Sequence, residues 1–398
     1  LILTLFFKIS LTMNMNYETI YQANKEEKLF GRYITLQHIE HLIFKYPYQV
    51  IGKSVLGKPI YKLEFGMGKT KIFMWSQMHG NESTTTKALF DFINFLHSNT
   101  TESNAILSNF TFWLLPMLNP DGAELYTREN ANKIDLNRDA QNLSQPESVL
   151  LREVFTEFKP DFCYNLHDQR TIFGAGDTGK PATVSFLAPA YNDERAINEV
   201  RSKAIEVIVS MNETLQQFIP NQIGRFDDSF NINCIGDTFQ SMNVPTILFE
   251  AGHFQGDYDR EFSRKFIFIA LLSGIQYINE NDIVLNKIQK YLHIPQNKVV
   301  FYDFVCKNVK INYDSLEKSI NFALQYKEVL SESEIIFEAH VAQINDLENY
   351  YGHFEFDANN KSYQDNFKNT PIVGQIANFS IENGISFSSG KLVQFSLD

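Results

Sequence analysis

Four apolar segments of this sequence each end on a polar side chain that can bind a metal ion or carry a proton. KIFMWSQM precedes His79, FTFWLLPML precedes Asn119, DFCYNL precedes His167, and TILF precedes Glu250. Short apolar runs of this kind predict buried strands. Because the carboxyl ends of neighbouring parallel strands open onto one crevice, we expect the four side chains to converge there.

The motif HGNE supplies two candidate metal ligands, His79 and Glu82. They lie immediately before a predicted helix, so one turn can aim both side chains in the same direction. Zn²⁺ in catalytic sites takes three ligands of the His and Glu kind and leaves a fourth position for water. His167 is the favoured third ligand, and His253, close to Glu250, is the alternative. The sequence therefore predicts one Zn²⁺ per chain.

Two carboxylates near this predicted site each have a chemical and a structural interpretation. Glu250 is the predicted general base, since a carboxylate at a zinc site can take a proton from the bound water and pass it to a leaving amine. Its structural alternative is an ion pair with Arg260 or Arg264. Asp168 either orients the imidazole of His167, as metal ligands usually require, or is a solvated loop carboxylate.

A long polar loop, NPDGAELYTRENANKIDLNRD, lies between the first and third candidate ligands. A guanidinium group pairs with a carboxylate through two parallel hydrogen bonds, so Arg138 beside Asn137 predicts a clamp for a free carboxylate of the substrate. Arg128, earlier in the loop, is the candidate for stabilising a developing oxyanion.

Composition limits the class of protein. The 398 residues are 44% hydrophobic, enough for one large core and a smaller second unit. A net charge of −12 opposes contact with a phosphate backbone, so no nucleic-acid partner is expected. Cys163, Cys234 and Cys306 lie far apart, which predicts neither a disulfide framework nor a thiolate metal site. No membrane span is predicted, and the apolar first residues lack a basic region and a cleavage site, which favours the cytoplasm and leaves secretion or the periplasm open.

The order of elements predicts an α/β protein. From Val50 onward, short runs of Val, Ile and Phe alternate with longer helical patterns, which is typical of βαβ units and a largely parallel sheet. Helical spacing predicts helices over 84–97, 193–218 and 260–278.

The character of the sequence changes near Pro295. Beyond it, strand-like pieces separated by Asn, Ser and Gly predict a small β-rich domain, interrupted by one helix over 316–328. We therefore expect three regions in the chain. They are an N-terminal extension (1–32), a catalytic domain (33–294) and a β-rich C-terminal domain (295–398).

Taken in order, the motifs resemble the zinc carboxypeptidase family, whose metal pattern is His-x-x-Glu followed far downstream by a third-ligand His. IGKSVLGKPIYKLEFG resembles the segment before the first metal strand, MHGNE the first ligand pair, LNPDG the next strand end, and DLNRD the Asn–Arg carboxylate clamp. His167 in NLHD resembles the third ligand, Glu250 in LFEAG the catalytic glutamate, and Arg128 in TREN the transition-state arginine. The resemblance covers 51–278 and implies a mixed, mostly parallel, twisted sheet of about eight strands flanked by helices.

The sequence departs from the family pattern in two places. Archetypal members carry a Tyr in the loop before the catalytic Glu, where it closes over the substrate, but 224–238 contains none, and Phe226 and Phe230 cannot donate that hydrogen bond. In the archetypes this loop also lines the specificity pocket, and here it holds three aspartates that favour a basic or amine-bearing group. These are Asp227, Asp228 and Asp237. The β-rich tail resembles, in position only, the β appendage of related deacylases.

The sequence is compatible with three functions. The leading one is hydrolysis of a terminal peptide or isopeptide bond next to a free carboxylate, with a peptide or an N-acyl amino acid as the partner. The second is a deacylase or murein-peptide amidase on the same scaffold. The third is a binding protein without catalysis, which the presence of Glu250 disfavours. An open cleft would favour peptides, whereas a tail domain folded over the crevice would restrict it to small substrates.

Overall fold

The computed structural model describes residues 15–280, 285–313, 316–382 and 384–395. The helices in these ranges are α1 (Tyr17–Asn24), α2 (Leu36–Ile43), α3 (Thr84–His97), α4 (Thr101–Asn109), α5 (Pro120–Leu125), α6 (Pro146–Phe158), α7 (Glu199–Leu215), α8 (Ile235–Ser241), α9 (Glu261–Glu280) and α10 (Ile288–Leu292). A short 3₁₀ helix covers Leu136–Arg138.

The strands up to residue 300 are β1 (Tyr48–Lys53), β2 (Pro59–Phe65), β3 (Thr70–Ser76), β4 (Phe110–Leu115), β5 (Phe162–Asp168), β6 (Phe173–Ala175), β7 (Val184–Leu187), β8 (Ile223–Arg225), β9 (Thr246–Ala251) and β10 (Asn297–Val299). The later strands are β11 (Phe301–Tyr313), β12 (Leu316–Ser331), β13 (Glu334–Ile344), β14 (Tyr351–Asp357), β15 (Tyr363–Gln364), β16 (Phe379–Ile381), β17 (Ile385–Ser388) and β18 (Lys391–Phe395).

An eight-stranded mixed sheet with the order β1-β2-β4-β3-β5-β9-β7-β8 forms the centre of the molecule. Its four central strands, β4, β3, β5 and β9, are parallel to one another. They are also the four segments that the sequence singled out, so their carboxyl ends meet at one edge. The predicted mixed α/β sheet of about eight strands is confirmed.

Side chains of β5 alternate between the helix-packed core and the open edge of the sheet. Tyr164 and Leu166 belong to the largest hydrophobic core cluster. Asn165 and His167, on the opposite face, line the main cavity of the molecule. This period of two is the reason why a strand so apolar in sequence can still deliver a polar side chain to a site.

Helices cover both faces of the sheet. The larger core packs one face against α3, α7 and α9, and a second core packs the other face against α6 and α8. The helix predicted over 84–97 has those bounds. The helix predicted over 193–218 is shorter, because the side chain of Asn198 accepts a hydrogen bond from the amide of Arg201 and caps α7 at its start.

The chain beyond Val300 forms two four-stranded sheets, β13-β12-β11-β14 and β15-β16-β17-β18. The predicted β-rich C-terminal region is confirmed, but the helix predicted over 316–328 is wrong. That segment lies in β12, which pairs on both sides with β11 and β13. Cross-strand burial of Ile320, Phe322 and Leu324, which alternate along the strand, outweighs its helical propensity.

Strand β10 joins the two parts of the fold by pairing with β6, just after the strand that carries His167. The N-terminal residues Met15, Tyr21 and Leu29 pack into the larger core. The domain boundaries at 32 and 294 stay a prediction. Within the described ranges, no helix has the length and apolar character needed to cross a lipid bilayer.

Candidate active site

Three buried side chains meet at the carboxyl end of the central strands. Nδ1 of His79 lies 2.8 Å from Oε1 of Glu82, and Nδ1 of His167 lies 2.8 Å from Oε2 of the same carboxylate. The two Nδ1 atoms are 3.1 Å apart. Of the described residues, these three form the group whose ligand atoms are close enough to hold one metal ion.

The spacing of these three residues fits a tetrahedral zinc site. Ligand bonds of about 2.0–2.1 Å place neighbouring ligand atoms of a tetrahedron about 3.3 Å apart, close to the separations of 2.8 to 3.1 Å. The second ring nitrogen of His79, Nε2, lies 3.1 Å from Oδ1 of Asp135. A carboxylate in this position fixes the tautomer that presents Nδ1 to a metal. The donor set and its support therefore suit Zn²⁺.

Electrostatics at these residues favour an ionised Glu82 and a neutral His167, whereas Glu82 and Asp135 raise the pKa of His79 although burial opposes it. Burial alone would raise the pKa of Glu82, but His79 and His167 outweigh it and lower the pKa below its ordinary value. Burial lowers the pKa of His167, which keeps that imidazole neutral. Asp135 has a lowered pKa because its contacts with His79 and Arg128 outweigh burial.

Glu250 lies beside this group on the neighbouring strand. It pairs in register with His167, so both side chains leave the sheet on the same face and line the same cavity. Its Oε2 is buried and has no hydrogen-bond partner among the described residues. Burial raises the pKa of Glu250 well above its ordinary range, and the carboxylates of Glu82 and Asp168 add to the shift.

The predicted ion-pair alternative for Glu250 does not occur. Arg260 donates instead to the backbone carbonyls of Gln169, at 2.6 Å, and Ala251. Arg264 lies 2.6 Å from Asp91 in a fully buried pair.

Arg128 reaches the site from the long loop. Its Nε donates to Oδ2 of Asp135 at 3.0 Å, and its Nη1 lies 3.4 Å from Oε1 of Glu82. The side chain is 40% exposed and lines the cavity. Its guanidinium group is therefore held at the site while one side stays open to a ligand.

Asn137 and Arg138 lie on the same cavity wall, held by the start of α8. The Asn137 side-chain oxygen accepts a hydrogen bond from the amide of Ile235 at 2.9 Å, so its NH₂ group remains available to a carboxylate. Nη1 of Arg138 donates to the Asn137 carbonyl at 2.7 Å and lies 3.1 Å from Sγ of Cys234.

The cavity has a volume of about 590 Å³, within the range of small-molecule and peptide sites. Its wall includes two oxygen acceptors besides the residues named above. The side-chain oxygen of Asn165 is buried without a hydrogen-bond partner in the described structure. Burial raises the pKa of Asp237 to about 7, and no described Lys or Arg forms an ion pair with it.

The three loop aspartates of the sequence analysis separate in the structure. Asp237 is buried in the cavity wall. Asp227 is exposed at the rim, where Ser229 donates to it at 2.7 Å. Asp228 is paired with Arg201 at 2.7 Å, which neutralises it away from the cavity. Only one of the three is thus placed to meet a substrate inside the pocket.

Asn119, one of the four strand-end residues, is not brought to the cavity. Its side chain accepts a hydrogen bond from the amide of Gly122 at 2.9 Å and donates to the Met78 carbonyl at 3.2 Å. It therefore ties the LNPDG loop to the turn that carries the first ligands. That turn leaves no room for a side chain at Gly80, whose added Cβ would lie 2.0 Å from the Gly122 backbone.

Two further expectations are corrected by the structure. Asp168 neither orients a ligand imidazole nor lies in solvent, because its carboxylate accepts the amides of Thr84 and Thr85 at the start of α3. His253, the alternative third ligand, lies outside the metal group and packs against His353, with tilted rings whose centroids are 4.1 Å apart.

Two residues of the site were not predicted from the sequence. Asp135 was visible only as the first letter of DLNRD, and its contact with His79 joins residues 56 apart in sequence. Asn165 lies two positions before His167 on a strand, so the period of two already places it on the same face.

Comparison with known proteins agrees with this geometry. Residues 35–213 match the family model described as zinc carboxypeptidase. Carboxypeptidase 2 of Trichophyton tonsurans is 26% identical over 125 residues, a match that covers 31% of this chain and 22% of that protein. Carboxypeptidase SOL1 of Arabidopsis thaliana is 32% identical over 117 residues, covering 25% of this chain and 24% of that protein. The chain thus spans less than a quarter of the length of these curated relatives.

Among solved structures, carboxypeptidase A of Helicoverpa armigera superposes with a TM-score of 0.51 at 15% identity, covering 66% of this chain and 79% of that one. At this level of identity the likeness concerns the fold, and it agrees with the eight-stranded sheet between helices. Residues 35–213, the segment that carries all three candidate ligands, thus match the zinc carboxypeptidase family.

Proposed function

We propose that the protein is a zinc-dependent hydrolase that cleaves a terminal peptide or isopeptide bond next to a free carboxylate. The observation that carries this proposal is the convergence of His79, Glu82 and His167 at separations of 2.8 to 3.1 Å, in the cavity that also contains Glu250. When bound, a zinc ion in such a site polarises the scissile carbonyl and lowers the pKa of a coordinated water to about 7.

The chain's own residues divide the remaining work. Glu250 takes a proton from the attacking water and returns it to the leaving nitrogen, since its unpaired carboxylate oxygen lies in the cavity. Arg128 donates to the carbonyl oxygen as negative charge develops there. Asn137 and Arg138 bind the terminal carboxylate of the substrate.

Two acceptors in the cavity wall support a preference for an amine-bearing leaving residue. The side-chain oxygen of Asn165 has no hydrogen-bond partner among the described residues, and Asp237 forms no ion pair with a described Lys or Arg. An ammonium group offers three donors and a positive charge, so it suits acceptors of both kinds.

The position of the C-terminal sheets supports peptides over confined small molecules. Of the described residues that line the cavity, none lies beyond Glu250 in the chain, so the β-rich domain leaves the cleft open. A deacylase or murein-peptide amidase would share the chemistry and remains the second candidate. It is favoured by the loop 224–238, which contributes Phe226 and Phe230 to the cavity wall and contains no tyrosine.

Metal analysis and one substrate pair test this function. Purified wild-type protein is expected to contain one zinc per chain, and His79→Ala and His167→Ala are expected to lose it. A peptide ending in Lys should release that residue, whereas the same peptide with a C-terminal amide should not, because the clamp needs a carboxylate. Zinc retained by the His167 variant, or equal cleavage of the amide, would contradict the proposal.

A further inference from the structure

A charged side chain of the C-terminal domain enters the catalytic domain behind the active site. Glu328, on β12, has a side chain that is only 26% exposed. Its Oε1 lies 3.0 Å from Nη1 of Arg32, whose side chain is 5% exposed. Its Oε2 accepts a hydrogen bond from the hydroxyl of Tyr126. One carboxylate thus joins the C-terminal domain to two separate segments of the chain, at Arg32 at the end of the N-terminal extension and at Tyr126 in the catalytic domain.

The first segment, at Tyr126, leads to Arg128, the residue predicted to stabilise the oxyanion. Tyr126 ends α5 in the left-handed conformation, with φ of 54°, a conformation that costs free energy for a residue with a Cβ. Arg128 follows two residues later and is bound to Asp135, which in turn contacts His79. The anchored Tyr126 therefore sets where the loop with Arg128 begins.

The second segment, at Arg32, leads to the HGNE turn that carries the candidate ligands His79 and Glu82, here called the ligand turn. The backbone carbonyl of Arg32 accepts a hydrogen bond from Oγ of Ser83 at 2.5 Å, and Ser83 directly follows the candidate ligand Glu82. Two residues on, the Ile34 carbonyl accepts from Nε2 of Gln77, just before His79. The segment around Arg32 thus lies against the back of the HGNE turn.

Holding the C-terminal domain against the catalytic domain does not require a buried ion pair. A buried ion pair is often no more stabilising than apolar side chains of similar volume, because desolvation offsets the attraction. Its particular property is position, since one carboxylate accepts the directional hydrogen bond of Tyr126 and holds the guanidinium of Arg32 at ion-pair distance. The same interface already has apolar and aromatic contacts, such as Tyr258 against Phe337 and Tyr326.

We propose that Glu328 is a positioning residue for catalysis, by which the C-terminal domain holds the Arg128 loop and the ligand turn in register with the cavity. This proposal rests on the proposed hydrolase function. Small displacements of a catalytic group lower turnover strongly, so the effect should fall on kcat. KM should change little, because the side chains of Asn137 and Arg138 contact Ile235 and Cys234 at the start of α8.

The kinetic test compares variants across the same interface. Glu328→Ala is expected to lower kcat about tenfold with KM within about twofold, and Glu328→Gln, which still accepts from Tyr126, should lose less. The matched control is Asp303→Asn, since Asp303 accepts from Tyr258 and the Tyr326 amide at 2.7 Å without touching the Arg128 loop. Equal loss of kcat in both variants, in proportion to their loss of thermal stability, would overturn the proposal.

A double-mutant cycle with Arg128 tests the route. In an Arg128→Ala background, Glu328→Ala should lower kcat little further, because the group that it positions is already absent. A full tenfold loss in that background would exclude Arg128 as the group through which Glu328 acts.

Amide hydrogen exchange separates this proposal from the proposed function. In wild-type protein and Glu328→Ala without substrate, exchange at 122–130 is compared, with Asp303→Asn again as control. Faster exchange there in the Glu328 variant alone supports positioning even if wild-type protein cleaves no peptide, in which case the hydrolase function fails by itself. Unchanged exchange would overturn the positioning role whatever the activity.

Discussion

At the scale of single residues, the buried and unpaired Oε2 of Glu250 is the feature most directly tied to turnover. Glu250→Gln keeps the shape of the side chain and removes its ability to take a proton. We expect kcat to fall by roughly 10²- to 10⁴-fold, with zinc content and KM close to wild type. Steady-state kinetics alongside metal analysis check this. Full turnover in the variant would show that another group acts as the base.

Asp237 predicts how substrate preference changes with pH. Its pKa, raised by burial to about 7, means that it gains its charge between about pH 6 and 8. The ratio of kcat/KM for a Lys-terminated peptide to that for a Leu-terminated peptide should therefore rise about tenfold over this range.

Asp237→Asn is the control for that pH profile, since it should flatten the ratio while leaving cleavage of the Leu-terminated peptide intact. The same pKa shift also bears on stability. Because the folded pKa lies above the unfolded value, Asp237 stabilises the folded state most at low pH, and that contribution is lost as pH rises from about 4 to about 7. If the ratio of kcat/KM for the two peptides does not change with pH in wild-type protein, Asp237 does not contribute to substrate preference.

Local sequence patterns predict most residues of the candidate site but not Asp135. His79, His167 and Glu250 directly follow apolar runs, and Glu82 lies three residues after His79 in the HGNE motif, so local patterns predicted all four residues. Asp135 could not be found in this way, because its role depends on a contact between distant loops.

At the scale of elements, α3 and α9 are joined by a buried ion pair that also holds the N-terminal segment. Arg264 on α9 bonds to Asp91 on α3 and to the carbonyls of Glu26 and Leu29. Asp91→Ala would remove both bonds to that carboxylate and leave Glu261, 3.1 Å from Nη1, as the counter-charge of the buried guanidinium. We expect the free energy of unfolding to fall by about 3 kcal/mol, measured by chemical denaturation.

The control for Asp91→Ala is an exposed pair on another helix, Glu199 and Lys203 of α7. Glu199→Ala should leave the denaturation midpoint close to wild type, because water screens that pair. If both variants shift the denaturation midpoint equally, burial does not explain the contribution of the Asp91–Arg264 pair to stability.

Elements differ in how well the sequence predicted them. Helix α3 was predicted at its observed bounds, since its apolar spacing agrees with its packing. Strand β12 was mistaken for a helix because 316–328 has residues that suit either state, and only the pairing with β11 and β13 decides between them.

At the scale of the whole molecule, the two parts of the fold are joined by β10 against β6 and by Glu328 against Arg32. Both tryptophans, Trp75 and Trp113, lie in the eight-stranded sheet, so their fluorescence reports on that part alone. Far-ultraviolet circular dichroism reports on both parts. We expect the two signals to give one coincident unfolding transition in urea.

Two separate transitions would instead show that the C-terminal sheets unfold independently.

The α/β order of the large part could be predicted from its alternating strands and helices, and the β-rich nature of the tail from its turns. The attachment between the parts could not, because it depends on side chains from Arg32 and Glu328 that are far apart in sequence.

The pairing of His167 with Glu250 in register on β5 and β9 also limits how the sequence can change in length. Loops around the cavity can lengthen without altering this pair. One residue inserted within β9 ahead of Glu250 would turn the carboxylate to the face that packs against α3, α7 and α9, since neighbouring strand residues point to opposite sides. We therefore expect natural variants of this chain to carry insertions and deletions in the loops of the cleft and none inside these two strands.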